Sequence, residues 1–457
     1  MRPSLVIAAA FAVGAAASAA PAQVDAPPIR FETFTLDNGL KVIVHEDHST
    51  PIVAVNVWYD VGSANEPPGR SGFAHLFEHM FFQETENLEA GEIMSMIPAA
   101  GGEFNGSTDK DRTNYYEVLP SNRLNLALWI HAEQMARLQV TPENFQRERE
   151  VVKEERRRTF ENQPYAGAIA ITLDTLINDW EPYDHPTIGS MEDLNAATAE
   201  DVRAFYRQYY VPNNATIAVA GDVTVAEVKR LVEEYFGDIP RGPEIAELPP
   251  PTPTPRTDGE RRVFVTDALA TLPLLAMGFN IPPHDDPDTY ALQLLSAIFS
   301  AGESSRLHQR LVKQEKAAVS VGAGLNSLIG PGSFMFFALP NQGVETARLR
   351  TLIDEEIQKL KAEGVTEHEL QKAKNQLRMS QIQQRQTVFS RADLLQHYRR
   401  YHGDVGSIND DLGRYMDVGV DDIRAVARKY LTPANRTIVI VVPPQQASAT
   451  SSNGETE

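Results

Sequence analysis

Residues 200–217 read EDVRAFYRQYYVPNNATI, and residues 421–438 read DDIRAVARKYLTPANRTI. The two align without a gap at an offset of 421 − 200 = 221, with 9 of 18 positions identical. Similarity of that length at a fixed offset marks an internal duplication. Each copy has an amphipathic helix ending in Tyr, a turn built on Pro and Asn, and an apolar β-rich run at 216–220 or 437–442. Between the copies, residues 241–260 (RGPEIAELPPPTPTPRTDGE) have the composition of an extended, semi-rigid linker. The expected organisation is an N-terminal domain over 30–240, this linker, and a homologous C-terminal domain over 261–443.

Each half alternates strand and helix patterns. In the first, residues 31–36 and 40–45 read as strands around Asp37-Asn38-Gly39, a hairpin signal, followed by strands at 52–61, 101–108 and 113–119. Helices are expected at 90–97, 123–139 and 143–158. In the second half, strands fall at 272–280, 319–325 and 333–339, and helices at 287–299, 304–314, 345–363 and 366–400. The fold class is α+β: two homologous α/β-roll domains, each an antiparallel-rich sheet packed with helices.

The 457 residues, 42% apolar and 23% charged, suit a soluble globular protein with substantial cores. Residues 1–22 place Arg2 ahead of an apolar run that ends in small residues, so they read as a signal peptide cut after Ala19 or Ala22. No later run is long enough to span a bilayer, and membrane insertion is not expected. The absence of Cys excludes disulfides and thiolate ligands, and with export it points to a bacterial periplasm. A formal charge of −20 argues against nucleic acid and favours basic peptides as partners. Residues 444–457 hold nothing to build a core and are expected to be disordered.

The chemistry is concentrated in GRSGFAHLFEHMFF. On a helix, His75 and His79 at i and i+4 share a face and can reach one ion, while Glu78 lies beside the water on that ion. The order His-x-x-Glu-His is the inverzincin form of a zinc peptidase motif. Zinc needs a third protein ligand, and the acidic helix EREVVKEE offers Glu148 and Glu155, seven apart on one face with Val152 between them. One could ligate and the other brace a histidine.

HLFEHMFF followed by ER-x-x-V-x-x-E resembles the pitrilysin, insulin-degrading enzyme and mitochondrial processing peptidase family. The similarity runs from about residue 31 to 443, through DNGLKVIV, GGEFNGSTDKDRTNYY and the duplicated halves. The resemblance implies one Zn2+ per chain held by His75, His79 and Glu155, with Glu148 supporting a ligand histidine. It implies Glu78 as the catalytic base acting on a zinc-bound water, and Phe104, Asn105 and Gly106 on an edge strand that takes an extended peptide. His and carboxylate ligands also accept Mn or Co.

One departure stands out. Active relatives carry an Arg and a Tyr seven apart after SSRL, in a pattern like SSRL-x-x-x-x-R-x-x-x-x-x-x-Y-S-V. Here Ser304-Ser305-Arg306-Leu307 is present, but those positions are Val312 and Val319. Valine cannot donate a hydrogen bond to an oxyanion. The expectation is therefore a heterodimer in which a related, zinc-less chain supplies the pair; the competing reading is that Tyr115 or a remote Tyr substitutes internally. The alternative is a non-catalytic scaffold or assembly subunit that keeps a structural metal site. The remaining histidines, including His284, His397 and His402, lack metal-ligand spacing and read as surface or structural.

Overall fold

The computed structural model describes residues 26–445, so the expected signal peptide and almost all of the expected disordered tail lie outside the described residues. The first sheet contains β1 (Glu32–Thr35), β2 (Lys41–Glu46), β3 (Ile52–Tyr59), β4 (Glu103–Thr108), β5 (Thr113–Pro120) and β6 (Ala215–Gly221), in the order β1-β2-β6-β3-β5-β4. The second contains β7 (Arg261–Thr266), β8 (Leu274–Ile281), β9 (Ala318–Asn326), β10 (Gly332–Pro340) and β11 (Arg436–Val442), in the order β7-β11-β8-β10-β9. Each sheet has one parallel pair, β2 with β6 or β7 with β11, and is otherwise antiparallel. Residues 241–260 carry no helix or strand.

The duplication persists in three dimensions. Helices Ala199–Tyr209 and Val420–Tyr430 start 420 − 199 = 221 residues apart, as do β6 and β11 at 436 − 215 = 221. The hairpin at Asp37-Asn38-Gly39 closes as its sequence requires, with Gly39 at φ +95°.

Each sheet is covered on both faces, and one cover is exchanged. Helix Val388–Tyr401, from the second half, lays Val388, Ala392, Leu395 and Tyr398 on Ile43, Ala54, Ala218 and Ala220 of the first sheet. In return, residues 168–177 of the first half put Ala168, Leu173 and Ile177 against Ala276, Val439 and Val441 of the second. Small residues make room for these approaches: a Cβ at Gly278 would fall 2.1 Å from Ile177 Cδ1. Polar bonds fix the register, since Gln396 Nε2 donates to the carbonyls of Asn56 (2.9 Å) and Thr216 (2.7 Å). Arg399 grips Asp60 through two bonds of 2.6 Å.

The single helix expected at 366–400 is in fact two, Glu367–Gln384 and Val388–Tyr401. The break comes at Thr387, whose side chain caps the second helix by accepting from the Ser390 amide at 3.0 Å. That second helix is packed between the halves. The strand β7 and the seam segment 168–177 were not anticipated from the sequence.

Candidate metal centre

Helix Phe73–Phe81 buries Phe73, Ala74, Leu76, Phe77, Met80 and Phe81 in the first core, which leaves His75, Glu78 and His79 on its remaining face. Gly72 begins it at φ +89°, where a Cβ would meet the Ile188 carbonyl oxygen at 2.7 Å. The buried carboxylate of Glu66 holds the helix start, accepting from the amides of Gly72 (2.8 Å) and Ala74 (2.7 Å), and it pairs with His185 Nε2 at 3.0 Å. Sequence reasoning missed Glu66 because it lies six residues before Gly72, outside any capping-box spacing.

Helix Pro142–Arg156 runs beside it, anchored by Phe145 and Val152 in the same core. Thr141 and Asn144 close a reciprocal cap at its start. His75 Nε2 lies 3.8 Å and His79 Nε2 3.2 Å from Glu155 Oε2, while His79 Nδ1 faces Glu148 Oε2 at 3.8 Å. The donor atoms of His75, His79 and Glu155 all lie within 4.8 Å of one another. Two imidazole nitrogens and one carboxylate oxygen are a donor set that zinc accepts, with a fourth tetrahedral position to spare. Among the described residues His75 Nδ1 is buried without a hydrogen-bond partner, so no competing bond from them holds that ring away from Glu155.

Burial lowers the pKa of His75 to about 4, helped by the charge of His79 and opposed by Glu155. Burial also disfavours charge on His79, but the Glu148 and Glu155 carboxylates outweigh it and raise that pKa to about 9. The contact with His79 holds Glu155 below the usual carboxylate range. Burial pushes Glu78 up, against a hydrogen bond that its Oε2 accepts from Thr108 Oγ1 at 2.5 Å.

Thr108 ends β4, the edge strand of its sheet. Gly106, on the same face, has no side chain to crowd Glu78: a Cβ there would be 3.2 Å from Glu78 Cγ. Phe104, also on this face, rests on Phe82 with ring centroids 5.6 Å apart. Asn105 lies on the other face with its partner Tyr116, whose ring is 4.0 Å from Phe389. The structure thus brings Phe104, Gly106 and Thr108 toward the motif helix and turns the Asn105 side chain away. A cleft of ≈ 390 Å³ opens here, lined from the first half by His75, Thr108 and Glu155 and from the second by Asn326 and Met335.

The two valines are outside that cleft. Val312 packs on the second core, and Val319 is 53% exposed on the edge strand β9. Tyr115 is no internal substitute: it is buried, its ring lies 4.0 Å from Phe81, and its hydroxyl is 3.2 Å from that of Tyr210. Among the other histidines, His131 is a buried structural partner of Glu117 at 2.6 Å, as expected. His284, His397 and His402 depart from expectation, since they meet in space.

Among the described residues no helix is long and apolar enough to cross a membrane. The model of the insulinase family, peptidase family M16, matches residues 41–175, and that of the peptidase M16 inactive domain matches residues 196–377. The chain is 32% identical over 415 residues to the zinc protease PqqE of Helicobacter pylori, covering 91% of this chain and 93% of that one. A zinc protease of Mycobacterium leprae is 29% identical over 398 residues, covering 87% and 88%. The crystal structure of a protease from Helicobacter pylori superimposes with a TM-score of 0.85 at 31% identity, covering 91% of this chain and all (100%) of that one. The periplasmic protease PqqL of Escherichia coli shares the fold, with a TM-score of 0.75 at 20% identity over 93% of this chain and 49% of its own. With the inverted motif on one helix, a carboxylate facing it from the helix packed beside it and the two zinc proteases aligned along nearly their whole length, the chain belongs to peptidase family M16, the insulinase family.

Proposed function

We propose that this protein is a zinc-dependent endopeptidase for unfolded or short peptides, exported to the periplasm and completed by a second, related chain. The observation that carries the reading is the convergence of His75 Nε2 and His79 Nε2 on Glu155 Oε2 from two helices, with Glu78 beside them under an exposed strand edge. His75, His79 and Glu155 would hold one zinc ion, and Glu148, facing His79 Nδ1, would orient that ring. The bound ion would supply Lewis acidity toward a water and the scissile carbonyl.

The proton chemistry belongs to Glu78. Its carboxylate takes a proton from the attacking water and delivers it to the leaving amine nitrogen. Burial, which raises its pKa, lets it hold that proton between the two transfers, and the Thr108 hydroxyl fixes its orientation. An extended peptide added to β4 would be held by backbone hydrogen bonds, with Gly106 permitting close approach beside the base.

Val312 and Val319 offer no donor for the developing oxyanion, which supports a partner that carries the missing Arg and Tyr. The length of the Escherichia coli relative, of which this chain spans 49%, is consistent with two such chains forming one working unit. Retention of Glu78 favours an enzyme over a scaffold, because a structural zinc needs ligands and no base.

The test is Glu78→Gln. The variant should keep its zinc while peptide hydrolysis by the chain with its partner falls on the order of 10³-fold. Hydrolysis near the wild-type rate in a zinc-loaded variant overturns the assignment. Full activity of the isolated chain overturns the partner.

A further inference from the structure

Three histidines from two distant stretches of the chain meet at the seam between the halves. His284 follows β8 of the second sheet, His397 lies in helix Val388–Tyr401, and His402 is the C-cap of that helix. The helix is the exchanged one, packed on the first sheet. His284 Nε2 and His402 Nε2 are 3.0 Å apart, and one ring nitrogen from each of the three lies within 4.8 Å of the others. Nitrogens around a tetrahedral zinc are about 3.3 Å apart, so small ring movements close the set.

The rings are held in place by their neighbours. His284 Nδ1 lies 2.9 Å from Ser327 Oγ; donating there leaves the lone pair on Nε2, toward the other two rings. His402 stacks on Tyr398 with centroids 4.7 Å apart, and Tyr398 in turn donates to Asp411 at 2.9 Å. His397 stacks on Tyr401 at 4.7 Å. A hydrogen bond between His284 and His402 would account for two of the rings and leave His397 without a polar partner among the described residues. All three are partly exposed, which gives an ion a way in. Arg112 and Arg414 oppose a cation here, but Arg112 is bound to Ser107 and Asn114 and Arg414 to Tyr290, while Asp285 and Asp411 act in its favour.

We propose that His284, His397 and His402 form a second metal site, for a divalent transition ion such as zinc, that clasps the exchanged helix to the end of β8. An all-imidazole set without a carboxylate selects zinc, copper or nickel over magnesium or calcium. The site is separate from the centre at His75, His79 and Glu155 and does not rest on the peptidase reading.

Zinc content after dialysis is measured for the wild type, for H75A/H79A, and for H75A/H79A carrying His402→Asn in addition. The expected contents are two ions, one and none, and zinc should raise the Tm of H75A/H79A but not of the triple variant. An H75A/H79A protein that binds no zinc overturns the proposal, as does a triple variant that still holds one. Two ions in a wild type that, with its partner, cleaves no peptide would sink the peptidase reading and leave the second site standing.

Discussion

Residues 73–81 and residues 291–299 share one pattern of burial and differ in chemistry. FAHLFEHMF and ALQLLSAIF each bury all but their third, sixth and seventh residues. In the first helix those are His75, Glu78 and His79; in the second they are Gln293, Ser296 and Ala297. Both helices sit against the edge strand of their own sheet: Glu78 accepts from Thr108 on β4, and Ser300 donates to the Ala323 carbonyl on β9 at 2.8 Å. The fold thus supplies two equivalent platforms. The same helix face, with its apolar side buried alike, carries side chains that could hold a metal in one half and Gln293, Ser296 and Ala297 in the other.

The largest expected effect separates the platforms. On the proposed function, Glu155→Ala would remove a zinc ligand and with it several kcal/mol of transition-state stabilisation, so hydrolysis should fall on the order of 10³-fold together with bound zinc. Ser296→Ala should leave both unchanged, and parallel assays of rate and zinc content make the comparison. If Ser296→Ala matched Glu155→Ala, the division of labour would be wrong.

Exchange of the covering helices predicts symmetry where the metal centre predicts its absence. Leu395 and Ile177 are fully buried on opposite sheets, and truncating either to Ala should cost about 3 kcal/mol, read from denaturant midpoints. A loss confined to one of them would mean that only one half depends on its neighbour. Glu148→Gln should be milder, weakening zinc affinity by about 10- to 100-fold as His79 loses its brace, with little change in fold.

The smallest effect tests the seam by acid. Burial works against the charge of Asp47, but hydrogen bonds from Ser49 and Arg391 outweigh it and take its pKa from 3.8 to about 2. A carboxylate depressed in this way stabilises the fold above its unfolded pKa, and that stability drains away as the pH falls from about 4 toward 2. Allowing for solvent screening, Asp47→Asn should cost about 1 kcal/mol at neutral pH, and the gap from wild type should narrow as the pH falls and close only below about pH 2.

Much of this was legible in the sequence because its signals are local. The Asp37-Asn38-Gly39 turn, the offset of 221 and the spacing of His75, Glu78 and His79 each depend on near neighbours or on a direct repeat. Glu155 was singled out only through the resemblance to a family, since spacing along the acidic helix left Glu148 equally eligible. What stayed hidden was pairing at a distance. The periodicity of 388–401 shows an apolar face but not which sheet it covers, and no Pro or Gly marks the break before Thr387. Asn105 shares a strand with Gly106, yet the alternation of side chains turns it from the site. His284 lies 118 residues from His402, and no spacing rule joins residues that only the exchange of helices brings together.

The most direct measurement is a crystal structure of the zinc-loaded chain with anomalous data collected at the zinc edge. A peak bonded to His75, His79 and Glu155, with none beside Gln293, Ser296 and Ala297, is the expected result. Crystals grown with zinc that show no ion at His75, His79 and Glu155 would contradict the assignment of the chemistry to the first half.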